Sequence, residues 1–284
     1  LAASQNESYW TDHNVTNHQG FASLGASLAY FHWRNDQYPG YIELMPVSNK
    51  DGLVVLDYGC GPGNDLVGFG HFSRPARLIG IDISTRSLAE SRARLALHNI
   101  PAELIHGNEA EGRLSLQDRS IDYIHSSGVL HHTKDPAAVL REFRRVLRPT
   151  GACRIMVYNY HSLWLHLHVA YIKRIKERLY GDMDIRAAFS RTTDGPECPI
   201  SRVYQPEEFG KLASECGFRC RFLGAAVSLY EMSLLPLRFE AAMNANLAAE
   251  HREFLLALTL DDRGFPRFHD HYAGVDGCYE LVPA

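Results

Sequence analysis

No Cys-x-x-Cys pair occurs in this 284-residue chain, although it has six cysteines: Cys60, Cys153, Cys198, Cys216, Cys220 and Cys278. Scattered thiols in a chain this long read as reduced side chains of a cytoplasmic protein, not as a disulfide framework. Cys216 and Cys220 are four apart around Gly217-Phe218, a strand-like context that does not favour a shared ligand, so no metal is expected. A positive balance is also missing. Lys and Arg number 29 against 33 Asp and Glu, a net charge of −4, which argues against a general grip on nucleic acid or an anionic membrane. The one basic cluster, Lys173-Arg174 with Lys176 and Arg178, reads first as a solvated helix face. No apolar run approaches the ~18 residues of a membrane span. No charged leader opens the chain either, but its first residue is Leu rather than Met, so that absence carries little weight.

What is present begins with a 45% hydrophobic composition, enough for a sizeable core in one large domain or a domain with a lid. The most informative run is Val54-Val55-Leu56-Asp57-Tyr58-Gly59-Cys60-Gly61-Pro62-Gly63. A β-branched apolar stretch ends in an acid, and three glycines follow at every second position. That predicts a buried strand, a turn too tight for side chains, and a helix starting near Pro62. Such a turn lets a ligand lie against bare backbone at a helix N-terminus. A dinucleotide fingerprint G-x-G-x-x-G would close on position 64, which is Asn64.

Strand and helix patterns then alternate, as in a doubly wound, mostly parallel α/β sheet. Strands are expected near 53–58, 77–83, 102–106, 120–126 and 152–158, with helices near 63–72, 85–98 and 136–147. One or two helices are expected between Phe21 and Met45, and nothing regular before them. A helix near 161–180 reads as a lid, a homodimer face or plain packing. A loop near 190–204, a helix near 206–215, a strand near 217–224, two helices within 228–260 and an antiparallel strand near 276–282 complete the reading. The chain divides accordingly into a helical cover (1–50), a ligand-binding core (51–160), a lid insertion (161–204), and a remainder of core with a second helical insertion (205–284).

Leu78-Ile79-Gly80-Ile81-Asp82-Ile83-Ser84 is a second strand ending in an acid, 19 residues beyond Gly63. A carboxylate there can accept both hydroxyls of a ribose, or merely cap the next helix. His106-Gly107-Asn108-Glu109 follows the third strand. Ile121-Asp122-Tyr123-Ile124-His125-Ser126-Ser127-Gly128-Val129-Leu130-His131-His132 leads to Asp135-Pro136 and the run Leu140 to Gly151. With all landmarks in this order, residues 50–160 resemble the small-molecule branch of the class I S-adenosylmethionine-dependent methyltransferases.

The resemblance implies a seven-stranded Rossmann-like methyltransferase fold with S-adenosylmethionine as cofactor. It implies that Asp57 orients the loop and helps hold the methionine amine, that Gly59, Gly61 and Gly63 admit the cofactor, and that Asp82 takes the ribose. Ile83 would pack beside adenine, Asn108 or Glu109 would meet its amino group, and Ser126, at the end of the fourth strand, would also bind the cofactor. Arg34, on the helix before the first strand, would pair with the cofactor carboxylate, with a surface arginine as the alternative. The expected reaction is methyl transfer to a small-molecule acceptor, more readily on oxygen, with His131, His132 or Tyr160 as catalytic candidates. Sulfonium chemistry chiefly needs alignment and exclusion of water, so both histidines could equally be structural. Rival readings are a protein of the same fold that binds this cofactor without methylating, and a nicotinamide-dependent oxidoreductase.

Overall fold

A computed structural model describes residues 4–107 and 113–284. Six strands follow the expected rhythm: β1 (Val54–Tyr58), β2 (Arg77–Asp82), β3 (Glu103–His106), β4 (Ile121–Ser127), β5 (Leu147–Tyr158) and β6 (Phe218–Ala226). Three short strands, β7 (Thr259–Leu260), β8 (Pro266–Phe268) and β9 (His271–Tyr272), form a small separate sheet, and β10 (Asp276–Pro283) returns to the main one. The main sheet has seven strands in the order β3-β2-β1-β4-β5-β10-β6. All pairings from β3 to β5 are parallel, whereas β10 runs antiparallel to β5 and β6. The strand order reverses between β1 and β4, and a ligand crevice is expected at the carboxyl ends of that pair.

Helices cover both faces. The first three are α1 (Gln5–Asp12), α2 (Leu24–Asp36) and α3 (Tyr41–Leu44); α4 (Asn64–Phe72), α5 (Thr85–Leu97) and α6 (Pro136–Val146) link the parallel strands. Asp135 starts α6 by accepting a hydrogen bond from Ala138 N at 2.9 Å, with Pro136 in the first turn. Leu140, Phe143 and Val146 then form one fully buried stripe against the sheet, each worth about 1.5–3 kcal/mol of burial. Phe31 of α2 with Leu66, Val67 and Phe69 of α4 and Leu88 and Leu95 of α5 close the opposite face.

Beyond β5 the chain departs from expectation. The helix there, Trp164–Lys176, is a π-helix. α7 (Ile185–Thr193) occupies the start of the expected loop, because Asp184 caps it through Arg186 N and Ala187 N and Phe189 is fully buried. α8 (Pro206–Glu215) precedes β6 as expected. The second insertion holds α9 (Leu229–Leu234), α10 (Arg238–Ala242) and α11 (Ala249–Ala257) rather than two helices, with a 3-10 turn at Leu235–Leu237. Pro236 cannot donate a helical hydrogen bond, which breaks the longer helix. α1 and the small sheet had no expected counterpart. Among the described residues, no helix is long and apolar enough to cross a membrane.

Candidate functional site

The glycine loop divides its labour. Gly59, Gly61 and Gly63 all have left-handed backbones, with φ of 76°, 51° and 80°. A Cβ on Gly59 would fall 2.2 Å from Val129 Cγ2, and one on Gly63 would fall 2.6 Å from Ser91 Oγ. On Gly61 a Cβ would meet no atom within 4 Å. Two of the glycines therefore permit close packing, and only Gly61 turns bare backbone to open space. Backbone N–H groups of Gly59 and Cys60 donate to Ile81 O at 2.7 and 3.0 Å, tying the loop to β2. Gly63 in left-handed conformation delays α4 to Asn64, two residues later than Pro62 suggested.

Open space beside Gly61 belongs to a cleft of about 290 Å³ at the carboxyl ends of β1, β2 and β4. Asp82 and Ile83 form one wall, His106 and Gly107 continue it, and Ser127 to Val129 with His132 form the opposite wall. Asp82 Oδ2 accepts from Gly61 N and Oδ1 from Ser84 N, both at 2.8 Å. Each oxygen keeps a lone pair for a hydroxyl donor. Burial pushes this carboxyl up, with the two N–H donors working against the rise. Ser84, not Asp82, caps α5 by accepting from Ser87 N at 3.1 Å. Asn108 and Glu109 lie outside the described residues.

Arg34 reaches the cleft from α2, but it arrives paired. Its guanidinium donates to Asp65 Oδ1 at 3.3 Å and Oδ2 at 3.5 Å, and to Ser127 Oγ at 3.2 Å. Burial alone would raise the Asp65 carboxyl, yet Arg34 and His125 hold it well below the usual carboxylate range. Asp57 does not line the cleft. It is buried beneath the loop, its Oδ2 has no hydrogen-bond partner among the described residues, and burial together with Asp65 pushes its carboxyl up. Ser126 faces inward as well, donating to Tyr58 O at 3.1 Å. The seryl group on the cleft is Ser127, because successive side chains on β4 point to opposite faces.

The two histidines part company on the 3-10 turn Leu130–His132. His131 is fully buried, neither ring nitrogen has a hydrogen-bond partner among the described residues, and its ring lies 3.8 Å from that of Tyr158. Burial drives its imidazole well below the ordinary value. His132 lines the cleft. Its Nδ1 lies 2.6 Å from Ile200 O, which fixes the proton there, and its Nε2 lies 3.8 Å from Asp194 Oδ2. Burial lowers this imidazole, opposed by Asp194 and the Ile200 carbonyl. Asp194 is itself held by Tyr158 Oη at 2.8 Å and Ser201 Oγ at 2.9 Å. Cys198 Sγ lies 3.9 Å from the Nδ1 side of His132. That nitrogen's proton is committed to Ile200, and burial pushes the thiol up to about 11, so His132, Asp194 and Cys198 make a poor metal donor set. Tyr160 faces the helical cap, where it donates to Glu250 beneath the Arg186 guanidinium.

Sequence reasoning missed the roof. Asn6 and Trp10 of α1, with Asn14 beyond it, close over the cleft. Asn6 Nδ2 donates to His132 O at 3.0 Å, and the Trp10 and His132 rings lie 4.7 Å apart. The signal was available in Ser4-x-x-Glu7, a helix-start pattern in which Ser4 accepts from Glu7 N.

Residues 49–191, half of the chain, match the sequence profile of a family described as "Methyltransferase domain". The chain is 37% identical over 117 residues to the "probable methyltransferase" ltbC of Aspergillus luteorubrus, covering 38% of this chain and 40% of that protein. It is 35% identical over 123 residues to the demethylmenaquinone methyltransferase of Listeria monocytogenes, covering 42% and 48% of the two chains. These matches span two fifths to one half of the curated relatives' own length. The solved DhpI–SAH complex superposes with a TM-score of 0.53 at 16% identity, covering 99% of this chain and 96% of that one. At that identity the likeness speaks to the fold. Profile, relatives and sheet order agree: the chain belongs to the class I S-adenosylmethionine-dependent methyltransferases, with S-adenosylmethionine as cofactor.

Proposed function

We propose that this protein methylates a hydroxyl oxygen of a small-molecule acceptor, with His132 as the proton acceptor. The observation that carries the reading is the 2.6 Å contact of His132 Nδ1 with Ile200 O, a carbonyl that can only accept: it assigns the proton to Nδ1 and leaves the Nε2 lone pair of this cleft-lining residue free, 3.8 Å from Asp194. When bound, S-adenosylmethionine supplies an electrophilic sulfonium methyl for in-line displacement. The cleft fits it, since the bare face of Gly61 gives a backbone cradle and Asp82 keeps a lone pair on each oxygen for the ribose hydroxyls. Ile83 would flank adenine, Asn108 or Glu109 would meet its amino group, and Arg34 with Asp65 would face the amino-acid end. Asp57 supports the loop from beneath.

As the acceptor oxygen loses its proton, Nε2 takes it, and the imidazolium gains Asp194 as counter-ion. Trp10 and Asn6 over the cleft exclude water, which would otherwise compete as a nucleophile. Six cysteines without a disulfide fit a reducing, cytoplasmic setting. The test is incubation with methyl-labelled cofactor and a panel of phenols and alcohols, read by mass. Labelled ether products that His132→Ala suppresses, without loss of S-adenosylhomocysteine affinity, support the reading. Tight S-adenosylhomocysteine binding with no product across the panel favours a binding protein and overturns it.

A further inference from the structure

Leu130–His132 is a single 3-10 turn, too short to satisfy its own last carbonyls. A residue about seventy positions further along the chain takes most of them. Arg202, in the loop before α8, donates its backbone N–H to His131 O at 3.1 Å. Its guanidinium donates to Thr133 O at 2.5 Å and to Lys134 O at 3.2 Å. The carbonyl between them, His132 O, accepts from Asn6 Nδ2. Every carbonyl from His131 to Lys134 is thus held from outside the turn.

Arg202 closes a run of three residues that each hold a different part of the same group. Ile200 O accepts the Nδ1 proton of His132 at 2.6 Å. Ser201 Oγ donates at 2.9 Å to Asp194 Oδ2, the oxygen that lies 3.8 Å from His132 Nε2. Ile200 therefore sets the tautomer, Ser201 the counter-ion and Arg202 the turn. Among the described residues no carboxylate pairs with the Arg202 guanidinium, so its charge is not neutralised locally.

We propose that Arg202 is a positioning residue for methyl transfer: it fixes the backbone on both sides of His132 and holds an uncompensated positive charge near the imidazole. This rests on the reading of His132 as the proton acceptor. A nearby cation disfavours a protonated ring. Burial lowers the His132 imidazole, Asp194 and the Ile200 carbonyl oppose the fall, and Arg202 adds to it. The other groups facing the ring carry no charge: Trp10 of α1, Tyr158 of β5, Cys198 after α7, and His131, which burial holds neutral. Tyr9 of α1 donates to the backbone carbonyl of Asp194. Asp194 thus favours the imidazolium once it forms, whereas Arg202 keeps the ring free to accept the proton beforehand.

The experiment uses the full chain, labelled with nitrogen-15 histidine and saturated with S-adenosylhomocysteine. NMR then titrates the His132 imidazole without turnover, its signals assigned by their loss in H132Q. R202M removes the fork and the charge, whereas R202K keeps the charge and loses the fork. Expected in R202M are a His132 midpoint shifted upward, mixed ring tautomers in place of one, and unchanged S-adenosylhomocysteine affinity in calorimetry. With the phenols and alcohols that the protein methylates, kcat falls by about tenfold to 100-fold at little change in acceptor KM. The acid limb of the kcat profile moves to higher pH. R202K returns the midpoint toward the parent value and recovers the rate only in part. If both variants lower the melting temperature yet leave midpoint, tautomer and acid limb in place, Arg202 is structural only and the inference is overturned. A shifted midpoint and mixed tautomers, with no methylated product from any acceptor, would defeat the proton-acceptor reading and leave the positioning contact standing.

Discussion

Asp276→Asn should stabilise this protein, and the gain should grow with pH. The folded-state carboxyl is pushed up to about 8, chiefly by burial, whereas the unfolded chain titrates near the ordinary value of about 3.9. From about pH 4 upward the unfolded chain has lost this proton while the folded protein keeps it. Stability contributed by Asp276 therefore falls as pH rises toward 8, and above 8 the folded protein carries a buried charge with no hydrogen bond among the described residues. Asparagine fills the same space and never ionises. Relief of one unsatisfied buried group is worth about 1–3 kcal/mol, or roughly 2–10 °C in melting temperature for a protein of this size. Thermal unfolding followed by circular dichroism at pH 5 and pH 9 reads the effect. A raised midpoint at pH 9 that shrinks at pH 5 is expected. Glu231 is the internal control: its carboxyl also sits high, at about 7 through burial, but it accepts from Trp164 N, Ser228 N, Ser228 Oγ and Val275 N. Glu231→Gln turns an N–H₂ toward donors and should lower stability at every pH. An Asp276→Asn midpoint that is unchanged or lower at pH 9 refutes the picture of an unpaired buried acid.

The other predictions separate residues that neighbour one another in sequence. His132→Ala should lower kcat by about 10²–10⁴ with S-adenosylhomocysteine affinity kept, while His131→Ala should lower the melting temperature and spare the pH profile of kcat; equal kinetic effects would defeat the assignment. Gly59→Ala and Gly63→Ala should each cost about 1–3 kcal/mol of stability through overpacking. Gly61→Ala should retain most stability and lose cofactor affinity in calorimetry instead, and a reversed order would count against the cradle. Asp82→Ala should weaken S-adenosylhomocysteine binding by tenfold or more, about 1.4 kcal/mol. Unchanged affinity would remove Asp82 from the ribose role.

The cofactor half of the cleft was legible in the sequence because each of its parts is local. The strand, the glycine turn and the acid at the next strand end lie within 30 residues, and each is dictated by backbone chemistry. Even there, resolution stopped at single residues. Ser126 and Ser127 differ only by the two-residue period of β4, and His131 and His132 by which way a 3-10 turn rotates them. Composition carries neither distinction. Three adjacent small residues can shift a strand's phase by one without changing its hydrophobic pattern.

The buried polar groups beyond that cleft are different in kind. Tyr38, Tyr158, Asp194 and Asp276 come from the turn after α2, the end of β5, the turn after α7 and the start of β10, the last 238 positions along from the first. None stands in a motif. Asp276 looked like the polar entry to a final strand, and Asp194 like one residue of an Asp-Gly-Pro turn. What gathers them is the antiparallel insertion of β10 between β5 and β6, which brings a late acid back to the edge where β1 and β4 open the cleft. A strand that runs parallel delivers its carboxyl end to that edge, but an antiparallel strand delivers its first residue. In such a sheet the N-terminus of the reversed strand is therefore where a residue late in the chain joins that edge.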